Sequence, residues 1–392
     1  MIFSSFQSTG VAVWAGITAL LALVWLKRHI DLARAGRERI LTPADADRAP
    51  QPPPLVSILV AAKDEAANIE RCVRGLLAQD YPRMELLVIN DRSNDDTGAI
   101  IDRIAAEDPR FRPIHIRELP AGWFGKNHAM HVGVEQSKGE VLCFSDADCA
   151  FDAKTLIRAA VSYAAEQRVD MLSVLPVLEA GTFWERVVQP VAGGVMVYWT
   201  PPHLVNNPRS SCAYANGAFI LMSRAVYAKL GGHEAVKATL NEDMHFARRI
   251  KALGMSLRVI RSAAMYRVRM YVGLNQIWRG WTRIFYGCFG NFAKLFASVL
   301  MLTFASLSPY VTLLLSPLAG PDAAKLAAAA TLTILAQQSV LWRYYPLSGT
   351  PAPYALTYPL GALVCLGITF NAMTRLTGAT TNWRGTVYAR GA

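Results

Sequence analysis

Between Gly139 and Phe151 the sequence runs GEVLCFSDADCAF, an apolar stretch from Val141 to Phe144 that empties at once into Asp146-Ala147-Asp148. Apolar residues without polar alternation fit a strand buried on both faces. Two carboxylates then stand at the carboxyl end of a core strand, the edge where ligands bind in open α/β sheets. A hard divalent cation, Mg²⁺ or Mn²⁺, takes carboxylate oxygen there and shares its other positions with water and phosphate, so the spacing points to a metal bridging a diphosphate. The alternative is plain: Asp-x-Asp is a short pattern, and a turn after a strand favours Asp for its own backbone hydrogen bonds.

The surrounding chain has the rhythm such a strand needs. Short β-rich runs at 55–62 (LVSILVAA), 85–90 (ELLVIN), 112–116 (RPIHI), 140–145 (EVLCFS) and 171–176 (MLSVLP) alternate with amphipathic helical stretches. That predicts a mostly parallel sheet covered by helices. No GxGxxG follows the first run and GxxxxGK[ST] occurs nowhere, so neither a dinucleotide turn nor a P-loop is supported. Instead the strand ends carry acids: Lys63-Asp64-Glu65 with Asn68, then Asp91-Arg92-Ser93-Asn94-Asp95-Asp96. Carboxylates at neighbouring strand ends can accept hydrogen bonds from a uracil imide and from ribose hydroxyls; helix capping is the competing explanation, and it claims Asp95 and Asp96.

Further along, LPAGWFGKNHAMHVG (119–133) sets Lys126 in a glycine-bracketed loop beside an expected helix start, which favours a diphosphate. Asn216-Gly217-Ala218 could present one side of a ligand pocket, glycine allowing close approach, or be only a tight turn before a strand. Asn241-Glu242-Asp243 suits a helix start, with acids in the first turn and Asn241 placed to cap.

Hydrophobic residues at 53% and charged residues at 18% make the chain too apolar for an ordinary soluble enzyme, so its +11 charge points to a membrane surface rather than nucleic acid. Residues 6–26 carry no charge and are followed by Lys27, Arg28, Arg34, Arg37 and Arg39, the pattern of an uncleaved anchor with the following chain in the cytoplasm. Apolar blocks recur at 292–318, 326–341 and 354–373, whereas 182–200 holds Glu185, Arg186 and Pro190 and reads as a core or membrane-surface helix. Residues 273–289 interleave Trp278, Trp281, Phe285 and Tyr286 with Arg279 and Arg283, as in a helix at the membrane interface. The six cysteines show no paired spacing and fit reduced thiols in a cytoplasm-facing part.

Taken in order, SILVAAKDEAANI, VINDRSNDDT, LPAGWFGKNHAM, FSDADCAF, NGAFILMSRAVYAKLGG and NEDMHFARRIKALG resemble a membrane-bound family 2 glycosyltransferase of GT-A fold, on the branch with hopanoid-associated, carotenoid and ceramide-type lipid glycosyltransferases. The resemblance covers residues 55–283. It implies that Glu65 and Asp91 bind base and ribose, that Lys126 lies near the diphosphate, that Asp146 and Asp148 hold donor and divalent metal, and that Asp243, with Glu242 beside it, is the catalytic base of an inverting reaction. The family's Gln-x-x-Arg-Trp motif is broken here, Gln276-Ile277-Trp278-Arg279 being followed by Gly280 before Trp281. Gln276, Trp278, Arg279 and Arg283 remain acceptor-side candidates against simple interfacial anchoring.

The expected organisation is an anchor at 1–26, a basic and Pro-rich linker at 27–54, a GT-A α/β catalytic domain at 55–270, an interfacial helix at 271–290, transmembrane helices at 291–374 and a basic tail at 375–392. The expected protein is a metal-dependent hexosyltransferase, multi-pass in the inner (cytoplasmic) membrane with its catalytic domain facing the cytoplasm. It moves a sugar from a uridine-linked nucleoside diphosphate donor to a hydroxyl of an isoprenoid, hopanoid, carotenoid or sphingolipid-like membrane lipid, and binds no nucleic acid. A processive polysaccharide synthase is disfavoured by the broken motif and the small membrane region, and an inactive scaffold or lipid-binding protein by the intact Asp146, Asp148 and Asp243.

Overall fold

A computed structural model describes residues 2–377 together with 381–383 and 386–388, so Arg384 and Arg390 of the expected basic tail lie outside the described residues. The chain divides into two compact units. One comprises Glu38–Glu179, Thr200–Met270 and Gly378–Ala392, and the other Met1–Arg37, Ala180–Trp199 and Tyr271–Thr377.

The first unit is organised by its strands: β1 (Val56–Ala62), β2 (Met84–Asp91), β3 (Phe111–Ile116), β4 (Val141–Asp146), β5 (Cys149–Phe151), β6 (Met171–Leu175), β7 (Val177–Leu178), β8 (Phe219–Ser223), β9 (Leu257–Arg261) and β10 (Tyr266–Val268). Among the described residues the main sheet has the order β3-β2-β1-β4-β8-β6-β9, with a smaller sheet β5-β10-β7. Strand period two sends successive side chains to opposite faces. Ile58 and Val60 of β1, Leu86 and Val88 of β2 and Cys143 of β4 therefore join one core cluster. Leu59, Leu87, Ile89, Leu142 and Phe144 join the other. Helix Ile69–Leu77 closes the first face with Ile69, Cys72, Val73 and Leu76, a helical stripe, and helix Gly125–Gln136 closes the second with Ala129, Met130 and Val134.

The main sheet is mostly parallel, as expected, and is mixed only through β8, the one reversed strand among its seven described strands. β1 runs parallel to β2 and to β4, whereas β8 lies antiparallel between β4 and β6. That reversal matters, because it brings the start of β8, and Asn216-Gly217 just before it, to the edge where β4 ends. β2 and β4 flank β1 on opposite sides, so the carboxyl ends of β1 and β4 form a topological switch point. Residues 39–48, expected as part of a linker, are folded onto this unit. Leu41 is buried and bridges Ser262, and Asp45 accepts hydrogen bonds from Arg39 and from the backbone N–H of Thr42.

The second unit is helical. Thr9–Ala35, Phe292–Leu347 and Ala352–Thr374 are long and apolar enough to cross a membrane. The middle segment, 56 residues, would be about 84 Å long as a straight α-helix, far beyond the roughly 30 Å of bilayer hydrocarbon. It breaks at Gly320 (φ 57°, ψ −122°), and Tyr310 Oη donating to Gln337 Oε1 at 2.6 Å ties its two limbs. At the bend Lys325 and Asp322 pair at 2.8 Å. Trp14 and Trp25 of the N-terminal helix Ile2–Ala35 donate to Thr312 Oγ1 and to the Ala305 carbonyl of the first limb. Helix Phe183–Trp199 groups with these apolar helices. Outward-facing Leu314, Leu318 and Leu335 leave an apolar exterior that water would disfavour.

The double-faced β1 yields a stability expectation. Leu59→Ala should cost about 2–5 kcal/mol by opening a cavity in the closed core, and the exposed Leu253→Ala less than about 0.5 kcal/mol. Denaturation of the purified variants followed by thermal shift checks this; equal losses would contradict the layered core.

Candidate active site

The site is assembled at the carboxyl edge of the sheet. The register Ala61↔Asp146 on one side and Ala62↔Asn90 on the other sets the ends of β4 and β2 beside the end of β1, so Glu65, Asp91 and Asp146 share one edge. Asp91 ends β2 and Glu65 follows β1, and the loops beyond these strands are bonded to each other. Lys63 Nζ donates to the Arg92 carbonyl (3.0 Å), the Asp64 N–H to Ser93 Oγ (3.0 Å), the Glu65 N–H to Thr97 Oγ1 (2.8 Å) and the Ala66 N–H to Asp95 Oδ2 (3.0 Å). In return Asp64 Oδ1 accepts the Asn94 N–H at 2.7 Å. Asp95 thus caps the following helix through the Thr97 N–H and also stitches the loops together, which the capping argument alone did not foresee. Asp64 and Arg92 take positive φ (53° and 55°), a strain tolerated where surrounding bonds over-determine the backbone.

Within this frame Glu65 is buried and accepts from Asn68 Nδ2 at 2.9 Å. Asp91 is buried and holds the Arg92 guanidinium through Nε at 2.7 Å and Nη2 at 3.0 Å. Helix Gly125–Gln136 begins against Asp91: a Cβ on Gly125 would lie 2.1 Å from Asp91 Oδ2, so only glycine lets the helix start approach. The same helix is fixed to the segment before Glu242 by Asn127 Nδ2, which donates to the Val236 and Thr239 carbonyls at 2.7 and 2.9 Å.

Lys126, the second residue of that helix, reaches across to two carboxylates. Its Nζ lies 2.6 Å from Asp146 Oδ1 and 2.7 Å from Glu242 Oε1. Burial works against the ammonium charge, but Asp146 and Glu242 outweigh it and hold the Lys126 pKa well above the ordinary lysine range. Glu242 and Asp243 open helix Glu242–Ala252, and Asn241 before them makes no capping hydrogen bond with its side chain. Asp243 accepts from the Gly217 N–H at 3.1 Å and from the Met244 N–H at 2.7 Å. Burial, then the like charge of Glu242, pushes the Asp243 carboxyl up to about 7 against the pull of Lys126.

The other sequence candidates divide. Asp148 lies in the turn between β4 and β5, half-buried, two residues beyond Asp146. Asn216 spends its side-chain oxygen on the Ala218 N–H (2.9 Å), a turn bond, while neighbouring Gly217 meets Asp243. Gln276, Trp278, Arg279 and Arg283 lie on helix Gly273–Phe289 of the other unit. There Gln276 Oε1 accepts the Val272 N–H at 2.8 Å, Trp278 packs against Gly367, Arg279 is exposed and Arg283 half-buried.

A divalent cation fits the acid pair after β4 on chemical grounds. Among the described residues no cluster of three or more ligating side chains occurs, but Mg²⁺-like ions near nucleotides take one or two carboxylates and complete their shell with phosphate and water. Asp146 already presents an oxygen to a cation, the Lys126 ammonium.

The model of glycosyl transferase family 2 matches residues 57–231. A beta-monoglucosyldiacylglycerol synthase of Synechocystis sp. is 33% identical over 178 residues, 44% of this chain and 36% of the relative. A 4,4'-diaponeurosporenoate glycosyltransferase of Staphylococcus haemolyticus is 22% identical over 247 residues, 62% of this chain and 64% of the relative. The chain thus spans less than two thirds of the length of either relative. Among solved structures, mannosyltransferase PcManGT from Pyrobaculum calidifontis, in complex with GDP-Man and Mn²⁺, has the same fold. Its TM-score is 0.51 at 19% identity, covering 90% of this chain and 98% of that one. Residues 57–231 therefore match a family 2 glycosyltransferase domain, and the fold is GT-A-like.

Proposed function

We propose that this protein is an inverting, metal-assisted glycosyltransferase that moves a sugar from a nucleoside diphosphate donor, uridine-linked, to a hydroxyl of a membrane lipid. The observation that carries the reading is the Lys126 ammonium shared between Asp146 and Glu242, next to a carboxyl raised to about 7. Glu65 and Asp91 offer carboxylate oxygens to the base and ribose, and Lys126 offers a fixed cation to the diphosphate. Asp243 accepts the proton of the acceptor hydroxyl as that oxygen bonds to the anomeric carbon and the carbon–phosphate-oxygen bond breaks. Attack opposite the leaving group inverts the anomeric centre. Asp146 and Asp148 are the residues that would hold Mg²⁺ or Mn²⁺, which when bound neutralises charge on the departing diphosphate.

Support for a lipid acceptor comes from the three apolar segments of the helical unit and from similarity to enzymes named for a diacylglycerol and a carotenoid acid. The basic residues Lys27, Arg28, Arg34 and Arg37 after the first apolar segment favour a cytoplasm-facing catalytic domain in a multi-pass inner-membrane protein. Arg279 and Arg283, with Trp278, are assigned to acceptor approach.

The base assignment makes a two-sided expectation. Asp243→Asn keeps the Gly217 contact but cannot take a proton, so turnover should fall roughly 10²-fold or more with donor KM little changed. In wild type, kcat/KM should decline tenfold per unit as pH drops below about 7. The folded carboxyl holds its proton more tightly than the unfolded one, so stability is lost as pH rises from about 4 to about 7 and stays lost above. Asp243→Asn should thus raise Tm at pH 8 and leave it nearly unchanged at pH 4; near-normal turnover in the variant would return Asp243 to a structural role.

Metal removal gives a separate check. Excess chelator should abolish transfer, added Mg²⁺ or Mn²⁺ should restore it, and Asp148→Asn should weaken metal-dependent donor binding far more than thermal stability. Full activity in chelator would reject the assignment.

For the acceptor, membranes holding the protein are incubated with labelled nucleotide sugars and the lipids extracted. Arg279→Ala, still membrane-bound, should lose transfer to lipid while donor hydrolysis persists. Label recovered solely in water-soluble product would sink the lipid reading.

A further inference from the structure

Beside the Lys126–Glu242 pair lies a small cavity of about 10 Å³, the room one water needs. Lys126, Glu242, Gly217 and His233 line its polar side, with Phe144 and Phe246 among its apolar walls. His233 is buried, and its ring is clamped edge-on by Phe144 and Phe246, each with its centroid 5.0 Å away. Burial, followed by the Lys126 charge, pushes the imidazole down to about 3, so it is neutral.

A neutral imidazole has one proton, and Tyr227 decides where it sits. Tyr227 Oη accepts the backbone N–H of His233 at 2.9 Å and lies 3.0 Å from His233 Nδ1. With its lone pair engaged, the phenol has its own proton to place, and Nδ1 is the acceptor in reach. When the phenol donates to Nδ1, Nδ1 is unprotonated and the proton resides on Nε2. The arrangement depends on Gly232 (φ 57°), where a Cβ would lie 2.8 Å from the Tyr227 ring. A buried N–H calls for an acceptor, and the imidazole shares its cavity with Glu242.

We propose that one water in this cavity accepts the Nε2–H of His233 and donates to the Glu242 carboxylate, making His233 a positioning residue that holds Glu242 in register with Lys126 and Asp243. The inference rests on the reading of Asp243 as the base, and nothing in the family resemblance assigns His233 a role. Lys126 supplies a third polar neighbour for the water, within the two to four such molecules use.

A double-mutant cycle tests it. His233→Phe keeps an aromatic wall but no donor, and should lower kcat about fivefold, the worth of one hydrogen bond, with donor KM unchanged. In a Glu242→Leu background, which offers the water no acceptor, the same change should cost nothing further, and His233→Gln in the Glu242 protein, which restores an N–H, should recover most of the loss. Equal losses in both backgrounds, or no recovery with Gln, would overturn the proposal. Nitrogen-15 histidine NMR of the wild-type protein gives a readout independent of folding in the variants. It should show the Nε2–H tautomer for His233, becoming mixed in Tyr227→Phe, and an Nδ1–H signature in wild type would also overturn it. An active Asp243→Asn, by contrast, removes the base assignment and leaves the tautomer result standing.

Discussion

One ammonium holds the site together. Lys126 is the point at which three segments distant in sequence meet: the start of helix Gly125–Gln136, the end of β4 through Asp146, and the start of helix Glu242–Ala252 through Glu242. Three acids gathered in a poorly solvated corner would repel one another, and a single cation between them offsets much of that cost. Asp243 receives what is left, the unfavourable remainder of burial and of the Glu242 charge, and its carboxyl is displaced toward neutrality. Proton affinity suited to base chemistry near pH 7 is thus a by-product of crowding.

Backbone topology makes that crowding possible. β8 runs against β4 and β6, so its first residues return to the edge where β4 terminates, and the Gly217 N–H arrives as a donor to Asp243. A fully parallel arrangement would have placed the same residues at the opposite edge. The loops after β1 and β2 are secured differently, by reciprocal bonds between them that support the left-handed backbone of Asp64 and Arg92.

Much of the α/β framework could be read from local pattern, because strands buried on both faces leave uninterrupted apolar runs such as 141–144 and acids at a strand end stand out against them. The family resemblance was equally visible, carried by motifs in order. What could not be read was pairing across distance. No local signal says that Lys126 would meet both Asp146 and Glu242, that Asp95 would reach Ala66, or that the Asn216 side chain would be spent on its own turn. Proline-rich composition around 42–54 suggested a linker, yet Leu41 and Asp45 are buried by partners more than a hundred residues away in one case and by Arg39 in the other. His233 lay unremarked in a Gly-Gly-His sequence because its meaning comes from Tyr227 and a cavity, neither of which a sequence window displays.

The bend at Gly320 bears on how the helical unit comes into being. In a bilayer, two apolar limbs joined by a tight turn and bonded through Tyr310 and Gln337 would enter as one hairpin rather than limb by limb. The polar tip is the part that such a route must carry through hydrocarbon. Its ionic side chains, Asp322 and Lys325, neutralise each other at 2.8 Å, so the tip travels as a dipole rather than as separate ions. The loop sequence is thereby suited to biogenesis as well as to the finished fold.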